Sequence, residues 1–247
     1  MALQQKELIH FGRAFALTFT IEAVNNRTMK YLFFIPLMLF SVLPMQAQEV
    51  PVLFAKQGKD ASFFMAEDFD QAGEMIGKAE FLTGESWYDR AFVKSVKASS
   101  ELPASGGNTY KAKNAHDFNK NTAWVEGKAD YGIGESLTYT FDFARLPRYN
   151  GNLGINKILM ANGYKKNRKT WANNSRVKQM KMFVNNRPYA LINLLDSYEI
   201  QTVEFDKVMF PKGKVTTVRF EITQVYKGDR FKDTAISLLM FDGVGVR

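Results

Sequence analysis

SLTYTFDF, residues 136–143, alternates strictly between apolar and polar side chains. The apolar residues, which share one face of an extended chain, are Leu137, Tyr139, Phe141 and Phe143. The polar residues on the opposite face are Ser136, Thr138, Thr140 and Asp142. Because successive side chains of a β-strand point to opposite faces, this pattern predicts a strand with one buried face and one solvent-facing face.

Further segments with the character of strands surround this one. They are residues 92–98, 156–160, 176–184, 189–194, 200–205, 215–226 and 234–241. Turn-forming Gly, Asn, Pro and Lys residues separate them, and no long segment has the periodicity of a helix. Strands joined by such turns predict an antiparallel β-sandwich, a fold that holds the loops at one end rigidly enough to bind a ligand.

The segment directly before residues 136–143 is NAHDFNKNTAWVEGKADYGIGE (114–135), and it predicts an ordered loop. Its Asn, Asp and Gly residues favour tight and left-handed turns. Trp124 and Tyr131 are large flat rings at positions where loops usually have small polar residues. We expect this loop to hold a fixed shape and to present side chains to a ligand.

The N-terminal region predicts export. Residues 29–48, MKYLFFIPLMLFSVLPMQAQ, have the pattern of a secretory signal peptide with a cut near Gln48. We interpret residues 1–28 as an over-extended start before Met29, and residues 49–91 as an N-terminal extension. An uncleaved membrane anchor is the alternative, although the apolar run is short for one. The mature protein is expected to be secreted, periplasmic or on the cell surface, with no stable membrane insertion after signal cleavage.

The composition excludes several kinds of chemistry. The chain of 247 residues has no cysteine, which excludes disulfides, thiolate catalysis and cysteine-ligated zinc. Its formal net charge of +8 suits either an anionic partner or a basic exported protein. We favour the second, because the lysines rarely cluster and their densest run, at 165–169, is short. No nucleic-acid partner is expected.

The sequence contains no recognisable catalytic constellation. Glu126, Asp130 and Glu135 share one loop, whereas the two carboxylates of a glycosidase flank a substrate cleft. His116 has no context that indicates a catalytic triad. Residues 132–134, Gly-Ile-Gly, lack the helix that follows a dinucleotide fingerprint. We therefore expect that the protein is not an enzyme.

Six short motifs occur in a fixed order along the chain. They are TAWVEG (122–127), GIGE (132–135), NGY (162–164), NSRVK (174–178), VYKG (225–228) and DTAIS (233–237). Together they resemble the NADase-type glycan-binding domain, a discoidin-like, galactose-binding-like jelly roll first associated with the translocation domain of a streptococcal NAD glycohydrolase. The resemblance covers about residues 92–243. It implies an all-β, discoidin-like jelly-roll β-sandwich over residues 92–247, preceded by the N-terminal extension.

The resemblance also implies carbohydrate binding without catalysis, since the NAD-cleaving part of that toxin is a separate domain. The predicted function is therefore a secreted, non-catalytic carbohydrate-binding module whose partner is a glycan or glycoconjugate. The alternative is a protein-interaction or structural β-sandwich domain of an exported protein without sugar binding, because the fold alone does not select a ligand.

Sugars present an apolar C–H face and a rim of hydroxyl groups, so a sugar site needs flat rings and planar polar groups. The candidate platforms for the apolar face are Trp124, Tyr164 and Trp171. The candidate partners for the hydroxyl groups are Glu126, Asn162, Asn174 and Arg176. Tyr164 and Trp171 lie in the predicted loop 163–174 and are the stronger candidates for exposed contact.

Several of these residues also have a structural alternative. Trp124 would plug the core beneath the loop. Glu126 and Glu135 would accept backbone N–H groups within the glycine-rich turns. Arg176 would be a buried ion-pair partner of Glu126 or Asp233.

Asp117, Asn119, the carbonyl of Asn121 and Thr122 are candidate ligands of a structural calcium ion, which takes about six to eight oxygen ligands. In discoidin-like sugar-binding relatives, an acidic residue after the DTAIS serine often helps to hold calcium. This chain has Leu238 at that position, so the site has less charge. The alternative is that Asp117 and Asn119 only hydrogen-bond to the loop backbone. No other cofactor is expected.

Overall fold

The structure, a computed structural model, describes residues 49–60, 93–143 and 150–244. The strands in these ranges are β1 (Val52–Phe54), β2 (Lys56–Asp60), β3 (Val93–Ala98), β4 (Trp124–Val125), β5 (Ser136–Asp142), β6 (Gly154–Asn162), β7 (Ser175–Val184), β8 (Arg187–Asn193), β9 (Glu199–Met209), β10 (Val215–Tyr226) and β11 (Thr234–Val244). The helices are a 3₁₀-helix (Ala112–His116) and α1 (Arg168–Asn173). No helix in these ranges has the length and apolar character needed to cross a membrane.

Parts of the predicted organisation lie outside the described residues. They are the over-extended start at residues 1–28, the signal peptide at residues 29–48 and residues 61–91 of the N-terminal extension. The structure therefore tests the predicted fold over residues 49–60, 93–143 and 150–244.

The strand predictions are confirmed. Along β5, Leu137, Tyr139 and Phe141 are buried, and the residues between them are half-buried. The same alternation of buried and half-buried side chains runs along β10. β6 and β9 are longer than predicted because they continue to pair with each other as far as Gly154 and Met209.

The strands form two layers. Hydrogen bonds connect the eleven described strands into one sheet, which folds into a layer of β2, β9, β6, β11 and β4 and a layer of β3, β5, β10, β7, β8 and β1. The layers are joined where the start of β11 pairs in parallel with the start of β7, at Thr234 and Ser175. The rings of Tyr139 and Phe241 meet across the layers with centroids 4.9 Å apart. This arrangement is the predicted all-β sandwich.

The core between the layers is rich in aromatic rings. Phe141 stacks on Phe210 with ring centroids 4.7 Å apart, and it meets Phe241 edge-on at 5.1 Å. All three side chains are at most 1% exposed. Because a buried aromatic ring removes a large apolar area from water, these rings are major contributors to the stability of the sandwich.

The N-terminal strands join the outer edges of the two layers. β1 pairs in parallel with β8, and β2 pairs antiparallel with β9. Between them, the Ala55 N–H donates to the Asn193 carbonyl at 2.9 Å. Residues 52–60 therefore cover part of an open edge in each layer, which reduces the risk of edge-to-edge aggregation.

We expect Phe141→Ala to lower the free energy of unfolding by about 3–5 kcal/mol, because it removes a ring that packs against both layers. Thr140→Ala is the matched control, since Thr140 is the neighbouring, half-buried residue of β5. Its effect should stay below about 1 kcal/mol. Urea unfolding followed by tryptophan fluorescence measures both changes. Equal effects of the two substitutions would contradict the assignment of the core.

Candidate functional site

Four connections between strands lie at the same end of the sandwich. They are residues 99–135, 163–174, 194–198 and 227–233. Antiparallel pairing brings them together, because the end of β3 meets the start of β5 and the end of β6 meets the start of β11. We call these four connections the loop end. All the sequence-predicted ligand and metal residues lie in it or directly beside it.

Trp124 is a core residue. It lies on β4, which pairs with β11, and its side chain is fully buried. The indole Nε1–H donates to the Ser100 carbonyl at 2.9 Å, which satisfies the polar group of the buried ring. Trp124 therefore plugs the core beneath the loop and has no exposed face for a sugar.

Glu126 is also fully buried, and it is tied to backbone groups. Its carboxylate oxygens accept the N–H groups of Thr234 at 3.1 Å and Lys128 at 2.7 Å. Burial raises the pKa of this carboxyl above its ordinary value, although the two N–H groups act in the opposite direction. The bond from Lys128 matches the predicted role of Glu126 within its own turn, whereas the bond from Thr234, which holds the connection 99–135 against the start of β11, was not predicted.

Asn162 links β6 to β7 from a buried position. Its side-chain amide donates to the Val177 carbonyl at 2.7 Å and accepts the Val177 N–H at 2.9 Å. Its backbone carbonyl accepts the Nε1–H of Trp171 at 2.9 Å. Because its side-chain amide both donates to and accepts from Val177, Asn162 bonds to β7 as a peptide group of a neighbouring strand would.

Arg176 and Trp171 form a stacked pair at the edge of the loop end. The Arg176 guanidinium carbon lies 4.5 Å from the centroid of the Trp171 ring. Arg176 Nε and Nη2 donate to the carboxylate oxygens of Asp196 at 2.8 and 2.9 Å. The ion-pair partners predicted from the sequence, Glu126 and Asp233, are therefore wrong, because the connection between β8 and β9 brings Asp196 to the guanidinium.

The other predicted contact residues differ in exposure. Tyr164 is more buried than expected, at 6% exposed, and its hydroxyl donates to the Asn121 carbonyl at 3.2 Å. The Tyr164 ring meets Tyr110 edge-on with centroids 6.3 Å apart. Trp171 is half-buried and lies on α1 rather than in an irregular loop. Asn174 follows α1, and its side-chain amide donates to a carbonyl of that helix at 2.8 Å.

A cleft of about 530 Å³ opens at the loop end. The aromatic residues in its lining are Tyr110, Tyr164 and Phe231. The polar and charged residues in its lining are Ser105, Asn108, Lys166, Asn167, Thr170, Asn174 and Asp233. Two predicted ligand residues, Tyr164 and Asn174, therefore lie in one cleft. The predicted ligand residues outside this lining are Trp124, Glu126, Asn162, Trp171 and Arg176.

Sequence reasoning missed Tyr110 and Phe231. Tyr110 follows a turn at residues 106–107, and Phe231 stands between two cations in the connection 227–233. Phe231 is also 41% exposed, which is unusual for so large an apolar side chain. A large ring in a polar, turn-rich connection was an available signal. That Tyr110 and Phe231 line the same cleft could not be predicted, because the two residues are far apart in the chain.

The cleft offers hydrogen-bonding groups of both charges. The Asp233 carboxyl lines it, and burial raises the pKa of that carboxyl above its ordinary value. Lys166 Nζ lies on the same lining, 3.4 Å from Asn108 Oδ1. Together with the rings, these groups provide one apolar surface and several separate donors and acceptors.

The candidate metal ligands form a loop that hydrogen-bonds to itself. Asp117 Oδ1 accepts the Asn119 N–H at 2.9 Å, and Oδ2 accepts the Thr122 hydroxyl at 2.7 Å. Asn119 Oδ1 accepts the Asn121 N–H at 3.0 Å. Within the described residues, no group of three or more His, Cys, Asp or Glu side chains is placed to hold a metal ion. The structural alternative, a loop that hydrogen-bonds to its own backbone, is therefore present, and calcium binding by Asp117, Asn119, Asn121 and Thr122 stays a prediction.

Comparison with known proteins identifies a family. The family model for the NAD glycohydrolase translocation F5/8 type C domain matches residues 87–242. This range contains the whole loop end and strands β3 to β10 with most of β11. No curated protein matches the chain.

Solved structures share the fold. The CBM32-1 and CBM32-2 domains of Clostridium perfringens ZmpB align with 78% of this chain at 11% identity and a TM-score of 0.51. The same domains in complex with GalNAc align with 80% of it at 12% identity and a TM-score of 0.48. The chain spans 41% of the length of each of these ZmpB chains. At this level of identity the likeness concerns the fold alone.

We expect Gly132→Ala to destabilise the loop end, because an added Cβ would lie 2.4 Å from Glu126 Cγ. Gly107→Ala is the matched control, since both glycines have positive φ (+66° and +79°) but an added Cβ at Gly107 meets no atom within 4 Å. The control carries the backbone cost of about 1–2 kcal/mol alone. Gly132→Ala should cost about 2 kcal/mol more. Urea unfolding measures both, and equal losses would contradict the packing described for Glu126.

Proposed function

The chain belongs to the family of NAD glycohydrolase translocation F5/8 type C domains, and from that premise we propose that it is an exported, non-catalytic carbohydrate-binding module. The signal-peptide pattern of residues 29–48 supports export. The cleft at the loop end is the observation that supports sugar binding, and we assign the glycan to it.

The chemistry of the cleft suits a sugar. Tyr110, Tyr164 and Phe231 supply aromatic surface for the C–H face of a pyranose ring. Asn167 and Asn174 each supply one end of a side-chain amide, because Asn167 Oδ1 already accepts the Thr170 N–H and Asn174 Nδ2 already donates to the Thr170 carbonyl. The N–H₂ of Asn167 can donate to a sugar hydroxyl group, and the oxygen of Asn174 can accept from one. The carboxylate of Asp233 adds a strong acceptor. A volume of about 530 Å³ is sufficient for a small saccharide.

The buried polar residues of the loop end support this role indirectly. Glu126 ties the connection 99–135 to the start of β11, Asn162 ties the end of β6 to β7, and Arg176 ties β7 to the connection 194–198 through Asp196. A binding group gives useful affinity only when its position is set before the ligand arrives. We assign these residues to positioning the cleft, and we assign direct contact to the less buried residues of its lining.

The same cleft supports a non-catalytic role. Glycoside hydrolysis by the common mechanism uses two carboxylic acids on opposite sides of the scissile bond. Among the described residues, Asp233 is the carboxylate in the lining of this cleft. Glu126, which adjoins the lining residue Val125, lies outside the lining and has both oxygens engaged by backbone N–H groups. A binding role therefore accounts for the arrangement better than hydrolysis does.

A protein-interaction domain is the second candidate function. Exposed apolar side chains at the loop end favour it: Ile133 is 46% exposed, Leu195 is 40% exposed and Phe231 is 41% exposed. Such side chains are typical of a surface that another protein covers. A glycan array and a pull-down with the mature chain distinguish the two functions. A carbohydrate-binding module should show saturable binding to free sugars, whereas a protein-interaction domain should not.

We expect Phe231→Ala to weaken sugar binding about tenfold, since it removes an exposed ring from the cleft. The matched control is Phe54→Ala, because Phe54 on β1 is 70% exposed and lies outside the cleft lining. A glycan array identifies the sugar, and isothermal titration with it measures both variants. Both variants should keep the melting temperature of the parent chain. If they do, and Phe54→Ala weakens sugar binding as much as Phe231→Ala, the assigned site is contradicted.

Chelation of calcium is expected to leave the melting temperature and the array signal unchanged, because the Asp117 loop satisfies its own polar groups. The measurement is a thermal unfolding curve and an array run with chelator, with added calcium and with neither. A melting temperature that falls with chelator and returns with calcium would show that this loop holds an ion after all.

A further inference from the structure

Exposed cations border the cleft on α1 and the residues before it. The connection 163–174 contains four Lys and Arg residues and no carboxylate. Lys165 is buried, while Lys166, Arg168 and Lys169 are exposed. Lys166 lines the cleft directly, with Nζ 3.4 Å from Asn108 Oδ1. One side of the cleft is therefore positively charged.

A second group of cations lies in the connection 227–233. Phe231, which lines the cleft, is flanked by exposed Arg230 and Lys232, and the Arg230 guanidinium carbon lies 5.1 Å from the Phe231 centroid. Lys232 and Lys227 place their Nζ atoms 5.8 and 5.2 Å from the centroid of Tyr131. Aromatic rings and cations thus alternate along one edge of the loop end.

Lys166, Arg230 and Lys232 differ from other cations at the loop end in forming no ion pair among the described residues, although Asp229 and Asp233 adjoin Arg230 and Lys232 in the chain. Lys111 pairs with Glu101 at 2.9 Å, and Lys128 pairs with Glu135 at 2.9 Å. In the part of the chain that the structure describes, no ion pair within 4 Å involves Lys166, Arg230 or Lys232. Their charge is therefore available to a ligand.

We infer that the cleft selects an acidic glycan, one that carries a carboxylate or sulfate group, over the neutral form of the same sugar. This inference rests on the proposed function and names the class of glycan. The pyranose ring lies against Phe231 and Tyr110, and its anionic group pairs with Lys166 in the cleft lining. Arg230 and Lys232, which flank the lining residue Phe231, add positive charge beside the cleft. Asp233, which also lines the cleft, accepts hydroxyl groups and disfavours an anion beside it, so the anionic group is expected on the side of Lys166.

The test uses the full chain on an array that carries neutral oligosaccharides beside their sialylated, uronylated and sulfated forms. We expect the acidic forms to bind at least about tenfold more tightly than their neutral parents, and raised salt to reduce this difference. The triple variant Lys166→Gln, Arg230→Gln, Lys232→Gln should lose about tenfold in affinity for the acidic form and little for the neutral one.

The matched control is Lys212→Gln, Lys214→Gln, which removes two exposed cations from the connection between β9 and β10, at the opposite end of the sandwich. It should leave both affinities unchanged. Equal binding of neutral and acidic sugars would overturn this inference and leave the proposed function intact. Absence of binding to any sugar would overturn both. A duplex DNA of mixed sequence that binds as tightly as the acidic glycan, and depends on the same three cations, would show polyanion binding without sugar recognition and would also overturn the inference.

Discussion

Hydrogen bonding at the first residues of β11 is the constraint on which the loop end depends. The Thr234 N–H donates to the buried Glu126 carboxylate, and the Thr234 carbonyl accepts the Glu126 N–H. One residue later, the Ala235 carbonyl accepts the Gly163 N–H at 3.1 Å. At the same point β11 pairs with β7 and joins the two layers. Since a buried backbone group without a partner costs about 1–3 kcal/mol, this short stretch fixes several connections relative to one another.

The polar residues of the loop end therefore have two different roles, since some hold the backbone in place and others line the cleft. Glu126, Asn162 and Arg176 are almost fully buried and are engaged with backbone or with Asp196. Asn174, which is two residues before Arg176 in the same motif, is half-buried and lines the cleft. A site made in this way loses little entropy when a sugar binds, because the connections are already ordered by groups that never touch the ligand.

The fold could be predicted to a large extent, because it depends on local pattern. Alternation along residues 136–143 alone indicates a half-buried strand, and the structure has β5 there. The site was predictable only in part, because it depends on contacts between distant connections. No local signal shows that Arg176 meets Asp196, or that Phe231 lines the same cleft as Lys166. The run at 165–169 alone indicates scattered surface charge, and only the fold adds Arg230 and Lys232 to it.

The proposed function requires that a saccharide binds in the cleft at the loop end, between the connections that β11 holds together. The most direct test is a two-dimensional NMR titration of the isotope-labelled chain with the sugar that binds most tightly on an array. We expect saturable shifts centred on Tyr110, Asn174 and Asp233, with the indole N–H of Trp124 unmoved because its bond to the core is independent of ligand. Shifts centred on residues 210–214 at the opposite end, or no saturable shift, would contradict the account.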